Sequence, residues 1–149
     1  MSADRFMLTI FCDDVRQEAG GKLAYMGIYE SNLLVPDYPA SLLKLCAVMT
    51  VRTAAARPPK SVVFKLLRDD DVIYEHSVDP EALKQMVNTD QASDIENKAH
   101  TIKSIAQLIN FSFTDACVLK SRAIVDGEEF RGGALEMRAL KNAPDRMIP

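Results

Sequence analysis

The sequence has no tryptophan, only two histidines and no long run of apolar residues. A membrane-spanning helix needs about 20 predominantly apolar residues, so we expect no membrane span. The apolar run at residues 6–12 is too short for the core of a usual signal peptide, and no small-residue cleavage site follows it. We therefore expect the protein to remain in the cytoplasm.

An excess of basic residues is also missing. The chain carries 18 Lys and Arg against 21 Asp and Glu, which gives a net charge of -3 at pH 7. Because sequence-independent nucleic-acid binding depends on clustered cations, this composition argues against a nucleic-acid partner. The length of 149 residues and the 48% hydrophobic content fit one globular domain. We assign that domain to residues 1–141, followed by a tail at residues 142–149.

Cysteine is scarce and widely spaced. The three cysteines are Cys12, Cys46 and Cys117. A disulfide framework favours an even number, and a structural zinc site needs closely spaced Cys or His pairs. We expect three reduced, buried thiols that pack as small apolar side chains.

Familiar catalytic motifs do not occur in the sequence either. It contains no Gly-x-Ser-x-Gly, no phosphate-binding Gly-rich loop and no His-Glu-x-x-His. No recognisable spacing pairs His76 or His100 with a nucleophile. The pattern favours a protein that is not an enzyme.

The clearest feature that the sequence does contain is a hairpin near its beginning. Residues 6–12 and 22–29 are rich in strand-forming side chains, and we predict that they pair. An acidic loop at residues 13–21 joins them, with two glycines at its return. Gly27 lies inside the second strand and predicts a bulge or a close backbone approach.

Further strands are predicted along the chain. Two prolines mark residues 31–42 as an edge strand or a crossing loop. Residues 42–53 are apolar on both faces, which predicts a central or covered strand. Two more hairpins are predicted, from residues 61–68 with 72–78 and from residues 117–126 with 129–140.

One helix is predicted, and one segment is ambiguous. Asp79 and Pro80 indicate a helix start, and the helix is expected to end near residue 87 or 88. Residues 88–100 are polar and are predicted to be flexible. Residues 101–113 fit both helical and strand spacing, but their Phe-Ser-Phe ending favours a strand.

These elements together predict an all-β protein. The runs give about seven to nine strands, one short helix and no β-α-β alternation. The expected fold is an antiparallel β-sandwich, either immunoglobulin-like or C2-like.

Acidic clusters in the predicted loops suggest a metal site. The clusters are Asp13, Asp14 and Glu18; Asp69, Asp70 and Asp71; and Asp126, Glu128 and Glu129. Carboxylates on neighbouring loops bind hard cations such as Ca²⁺ and Mg²⁺. The alternative is that these residues are ordinary solvated turn residues. Asp13, Asp14, Asp69, Asp70 and Asp71 are the candidate metal ligands.

Contacts with a partner protein are predicted in two places. Arg16 and Glu18 in the first loop form either a local ion-pair lattice or a contact with a partner. Leu34 and Tyr38 belong either to the core or to an apolar strip at a sheet edge that binds a partner or a second copy.

A small anionic ligand is a further candidate. On composition alone, Arg16, Lys22 and Arg52 are cations that such a ligand would contact. The sequence does not indicate whether they lie close together.

The opening segment FCDDVRQEAGGKLAYMGIY resembles an uncharacterised bacterial and phage-associated family that is known only as a domain of unknown function. The similarity continues through LLVPDYPASLLKLCAVMTVRT and on to LLRDDDV. The resemblance implies a small stand-alone domain, and it supplies no activity, cofactor or catalytic residue.

Three functions remain open from the sequence. The first is a non-enzymatic binding or assembly module that acts through protein-protein contacts. The second is a small-molecule or nucleotide-binding protein with a pocket at a loop end or between subunits. The third is a divalent-metal-binding domain that uses the acidic loops.

Overall fold

The computed structural model describes residues 4–91 and 99–140, which form nine strands and one helix. The strands are β1 (Arg5–Gln17), β2 (Leu23–Tyr29), β3 (Asn32–Val35), β4 (Ala40–Thr53), β5 (Val62–Arg68), β6 (Asp71–Ser77), β7 (His100–Phe113), β8 (Cys117–Val125) and β9 (Glu128–Ala139). The helix α1 spans Pro80–Gln91, between β6 and β7. The mainly β prediction is confirmed. Residues 92–98 and the predicted tail lie outside the described residues.

The strands form two sheets. The first has the order β2-β1-β4-β7 and the second has the order β3-β9-β8-β5-β6. Every pair is antiparallel except β3 and β9, which run parallel. The prediction of a wholly antiparallel fold is therefore wrong at this edge. The chain crosses from the edge of one sheet to the edge of the other between β2 and β3, and this crossing places β3 beside the last strand.

Both sheets contribute to one hydrophobic core. Residues of β8 alternate between buried and partly exposed along the whole strand, so one face of the second sheet points inward. The inward side chains of the two sheets form one cluster, whose largest fully buried members include Phe64, Phe113, Leu45, Met49 and Leu66. The two sheets therefore pack face to face around a shared core.

Strand β4 is buried on both faces, as its apolar sequence predicted. It lies between β1 and β7 and is buried from Leu45 to Val51 without interruption. A second cluster on the outer face of the first sheet contains Cys12, Cys46 and Val48. Val15 and Tyr25 pack against this cluster, so the end of the β1–β2 hairpin covers the outer face of β4.

The acidic loop predicted at residues 13–21 is mostly strand. β1 pairs with β4 only as far as Cys12, and it then continues in register with β2 to Gln17. The turn is short, and the amide of Glu18 donates to the carbonyl oxygen of Lys22 at 2.8 Å. The polar composition suggested a loop, but pairing with β2 satisfies the backbone of this segment. We call the paired segments 13–17 and 23–26 the hairpin arm.

Gly27 provides a close approach, not a bulge. The register between β1 and β2 is unchanged on both sides of it, from Cys12 opposite Ile28 to Asp14 opposite Met26. Gly27 has a φ of +68°, and a Cβ at this position would lie 2.1 Å from Oδ2 of Asp13. The missing side chain thus makes room for the Asp13 carboxylate.

The predicted helix start is confirmed, and the helix is longer than expected. Oδ2 of Asp79 accepts a hydrogen bond from the amide of Ala82 at 3.2 Å, which caps the first turn. The helix continues to Gln91, so its last residues replace the beginning of the segment that was predicted to be flexible. Within the described residues, no helix is long and apolar enough to cross a membrane.

The remaining strand predictions are largely confirmed. The ambiguous residues 101–113 belong to β7, which pairs with β4 along almost its whole length. β3 is an edge strand, as the nearby prolines indicated. The two later hairpins form as expected, although Asp71 already belongs to β6.

Candidate functional site

Asp13 and Asp14 lie on β1 and make contacts within the protein. Oδ1 of Asp14 lies 2.6 Å from Nζ of Lys44 on β4, and this contact lowers the pKa of Asp14. The hydroxyl of Tyr29 donates to Oδ1 of Asp13. Burial of the Tyr29 hydroxyl, together with this hydrogen bond, raises the pKa of Tyr29 to about 12. Both carboxylates hold the hairpin arm to the rest of the sheet.

The second acidic cluster surrounds the β5–β6 turn. Asp69 has a φ of +53°, and its Oδ1 accepts a hydrogen bond from the amide of Val118 at 3.0 Å. Asp70 is almost fully exposed and lies 3.6 Å from Nζ of Lys120. In residues 4–91 and 99–140, no group of three or more His, Cys, Asp or Glu side chains is placed to hold a metal ion. Calcium or magnesium binding stays a prediction.

The third acidic cluster contains a structural corner. Oδ1 of Asp126 accepts hydrogen bonds from the amides of Lys60 and Ser61 at 2.8 and 2.9 Å, and Oδ2 lies 3.2 Å from the buried guanidinium of Arg5. Burial disfavours the charged carboxylate, but these amides and Arg5 outweigh it and lower the pKa of Asp126. The corner joins the β8–β9 turn to the start of β5.

The residues predicted to contact a partner at the edge strand differ in how far they are buried. Leu33 and Val35 are buried in the core, whereas Leu34 between them is only partly buried. The hydroxyl of Tyr38 accepts a hydrogen bond from the amide of Ala139 at 3.0 Å, and its ring packs edge-on against Phe113. A continuous exposed strip of these residues does not form, because alternate side chains of β3 point inward.

The cations selected from composition do not form one site. Arg16 and Glu18 are exposed at the far end of the hairpin arm, and Lys22 lies in its turn. Arg52 is exposed on β4 opposite Phe6, at the other end of β1. The structure therefore separates Arg52 from Arg16 and Lys22.

A group of cations that the sequence analysis did not select lies on the outer face of the second sheet. Arg122 of β8 is directly opposite Lys65 of β5 on one side and Arg131 of β9 on the other. Directly opposed residues of an antiparallel pair point to the same face. Lys65, Arg122 and Arg131 therefore form a row across three strands, which we call the cation row.

A β-bulge directly follows the last member of this row. Ser121 is opposite Gly133 and Arg122 is opposite Arg131, so Gly132 is the extra residue in β9. A Cβ on Gly132 would lie 2.5 Å from Oγ1 of Thr9 and 2.8 Å from Oγ of Ser121. Glycine is required here because the bulge packs directly against the opposite sheet. Bulges of this kind redirect neighbouring side chains.

The cation row borders a surface groove of about 360 Å³, which is lined by Lys120, Arg122, Arg131, Gly133 and Ala134. We call it the basic groove. Its cations have only loose acidic neighbours, because Asp70 is 3.6 Å from Lys120 and Glu129 is 3.6 Å from Arg122. Arg131 is exposed and makes no ion pair with any residue of the described ranges. Guanidinium and ammonium groups are cations whose hydrogen-bond donors match carboxylate and phosphate groups.

The sequence contained a signal for this site. The Asp126-Gly127 turn predicts a hairpin in which Val125 is opposite Glu128, and counting back from there places Arg122 opposite Arg131. The alternation of β8 then places both arginines on its exposed face. The neighbouring Lys65 required the order of the strands, which the sequence does not give.

One histidine contacts a hydroxyl group. Nδ1 of His76 on β6 lies 2.9 Å from Oγ of Ser104 on β7, and the hydroxyl of Tyr74 lies 2.8 Å from the same atom. Ser104 is buried and has both polar neighbours within hydrogen-bond distance. The three residues link the edges of the two sheets, and sequence spacing gave no sign of this contact.

Comparison with known families gives a family for the chain, but the function of that family is unknown. The model of a family of unknown function, DUF6941, matches residues 7–138. The chain belongs to this family. The expected membership of a domain family of unknown function is thus confirmed, and the DUF6941 match includes the whole cation row. No curated protein matches the chain significantly.

Proposed function

We propose that the protein is a non-enzymatic binding module that holds an anionic ligand on the outer face of its second sheet. The observation that carries this proposal is the cation row, in which Arg122 is directly opposite Arg131 and Lys65. This is the second of the functions left open by the sequence, but it uses cations other than the predicted ones.

The energetic argument rests on the repulsion within the row. Like charges directly opposite each other on neighbouring strands are destabilising, by up to about 1 kcal/mol for a pair. Arg122 and Arg131 point away from the core, so neither is needed to fill it. An anion between them converts this repulsion into two attractive contacts, and guanidinium groups match carboxylate and phosphate in geometry.

The chemistry of the groove supports binding rather than catalysis. Its lining consists of three cations with two small residues, Gly133 and Ala134. Such a lining attracts and orients an anion through its positive charge and its hydrogen-bond donors.

Nuclear magnetic resonance tests the proposal directly. In a titration with sodium sulfate against sodium chloride at equal ionic strength, we expect sulfate-specific amide shifts at residues 120–122 and 131–134. Arg131→Ala removes one side of the site and should abolish them. Arg52→Ala is the matched control, because Arg52 is an exposed strand arginine on the other sheet. Shifts that are absent, or that survive in Arg131→Ala, would contradict the proposal.

A second candidate function is assembly through protein contacts. Phe6 and Leu8 project from β1 at 38% and 40% exposure, and Ile28 on β2 is 57% exposed. Among the described residues, β1 pairs only with β4 over residues 5–10, so Phe6 and Leu8 lie along a strand without a second neighbour in that part of the chain, and Ile28 lies on the adjoining β2. We propose a second copy of the chain as the partner. Light scattering should then give a mass above 16.5 kDa, and Leu8→Glu should restore the monomer. A monomeric wild type contradicts this candidate.

Three finer assignments also stay proposals. They are an immunoglobulin-like or C2-like architecture, a bacterial or phage setting, and a cytoplasmic location. The two sheets around one core support the first, the residues of the opening segment support the second, and the three free thiols, which are typical of a reducing compartment, support the third.

A further inference from the structure

We infer that the ligand of the basic groove is a small molecule that carries a phosphate or diphosphate group. This inference rests on the proposed function, and it adds the chemical class and the size of the ligand. Three features of the groove carry it: its volume, the direction from which its cations approach, and its glycine floor.

The volume of the groove limits the size of the ligand. Small-molecule sites in proteins have volumes of about 300–1,000 Å³. The basic groove, at about 360 Å³, lies at the lower end of that range. The protein as a whole has a net charge of -3, which does not favour a nucleic-acid polymer as the ligand. A compact anion fits these limits better than a nucleic acid does.

The arrangement of the cations favours phosphate over carboxylate. Lys120 and Arg122 belong to β8 and Arg131 belongs to β9, so the cations approach the groove from two strands. A carboxylate is planar and carries one charge, and it pairs best with a single guanidinium. A phosphate group carries about -1.5 to -2 charges at pH 7 and has three acceptor oxygens. It therefore contacts donors from both strands at once better than a carboxylate does.

The floor of the groove admits the phosphate close to the backbone. Gly133 has a φ of +121°, and a Cβ at this position would meet no atom within 4 Å. The space above it is therefore open, and Ala134 beside it adds only a methyl group. Glycine at such a position is typical of sites where a ligand approaches the backbone.

Ser121 and Gly132 act as positioning residues for Arg131. Oγ of Ser121 donates to the carbonyl oxygen of Gly133 at 3.0 Å and lies 2.7 Å from Oγ1 of Thr9. These contacts fix the bulge, which directly follows Arg131 in β9. The site is therefore built by buried polar contacts beneath it.

The rim acids compete with the ligand. Glu129 lies 3.6 Å from Nε of Arg122, and its side chain is 57% exposed. This distance exceeds that of a hydrogen bond, so the carboxylate is free to move aside. Glu129→Gln removes the negative charge that competes with the ligand for the guanidinium of Arg122. This variant should therefore bind the ligand several-fold more tightly than the wild type does.

Isothermal titration calorimetry with inorganic pyrophosphate tests the inference, with citrate and a single-stranded oligonucleotide as alternative ligands. We expect pyrophosphate to bind the wild type more tightly than citrate does. Arg131→Ala should weaken binding about tenfold or more, since it removes a charge-assisted contact, while Arg131→Lys restores part of it. Lys120→Met provides an independent second variant, and Arg52→Ala should bind as the wild type does.

The outcomes separate this inference from the proposed function. If citrate binds as tightly as pyrophosphate and loses affinity in Arg131→Ala, the phosphate assignment fails while the anion-binding function stands. If the oligonucleotide binds more tightly than pyrophosphate, the assignment of a small ligand fails. If no anion binds, both proposals fail. Pyrophosphate binding that is unchanged in Arg131→Ala and Lys120→Met also overturns the inference, because the anion is then held elsewhere.

Discussion

Arg122 and Arg131 lie directly opposite each other on β8 and β9, and both point to the outer face of the second sheet. Strand pairs usually place opposite charges, or one charge and one neutral group, at such positions. The residues beneath this pair, Ser121 and Gly132, fit together so closely that the register has no freedom to slip. The pair is thus built into the fold, and its two like charges repel each other. In the proposed function, a bound anion would offset this repulsion.

The repulsion itself is measurable without a ligand. Arg131→Gln keeps a polar side chain at this position but removes its charge, so we expect it to stabilise the free protein by a few tenths of a kcal/mol at low salt. The gain should shrink as sodium chloride is added, because exposed charges are screened. Thermal melting at two salt concentrations checks this, with Arg52→Gln as the control. A loss of stability in Arg131→Gln at low salt would show that the arginines do not repel each other.

Asp126 should make the stability of the protein depend on pH. Its pKa in the folded protein is lowered, so the carboxylate contributes stability at neutral pH that is lost as the pH falls below about 4, the pKa of an unfolded Asp. Asp126→Ala removes the acceptors of the Lys60 and Ser61 amides and the partner of buried Arg5, and we expect a cost of about 2–3 kcal/mol at pH 7.

Urea unfolding at pH 7 and pH 3 measures this effect. Asp126→Asn is the matched variant, because it keeps an acceptor oxygen and tolerates the φ of +52° at this position. The difference in stability between wild type and Asp126→Asn should be largest at pH 7 and should be smaller at pH 3, where the carboxylate of the unfolded protein is mostly protonated. A difference that is equal at both pH values would mean that the charge of Asp126 contributes nothing.

Gly27→Ala should destabilise the protein more than Gly20→Ala. Both glycines have positive φ, but a Cβ at Gly27 would displace the carboxylate of Asp13, whereas a Cβ at Gly20 would meet open space. We expect about 1 kcal/mol for Gly20→Ala and about 2–3 kcal/mol for Gly27→Ala. Chemical denaturation gives both values. In an Asp13→Ala background the excess cost at Gly27 should disappear, and its persistence would point to another cause.

The three thiols should be unreactive in the folded protein. Cys12 and Cys46 are directly opposite each other on β1 and β4 and are fully buried, as Cys117 nearly is. Burial, with a smaller effect from Cys46, raises the pKa of Cys12 to about 11, so thiolate is scarce at neutral pH. Ellman's reagent should detect no thiol in the native state and three after denaturation. Rapid labelling of Cys12 or Cys46 in the native protein would show that the hairpin arm opens.

Local patterns in the sequence determined most of the strands. Alternating or continuous apolar residues identify β4, β5, β8 and β9, because each strand has at least one buried face. Asp79 and Pro80 identify the start of α1, because free helix amides need a cap. The Asp126-Gly127 turn also determines that Arg122 faces Arg131, since a two-residue turn sets the register of the strands that it joins.

Outside the three predicted hairpins, only the tertiary structure decided which strands become neighbours. Residues 13–17 form a strand despite their charges, because β2 pairs with them and Lys44 neutralises Asp14. β3 joins β9 in parallel, and Lys65 completes the cation row, through pairings between segments far apart in the chain. The periodicity of apolar residues shows which side chains of a strand are buried, but it does not show which other strand lies next to it. Acidic residues that the sequence analysis had selected as candidate metal ligands therefore form structural contacts within the protein. The basic groove lies on strands whose arrangement depends on the order of the sheet.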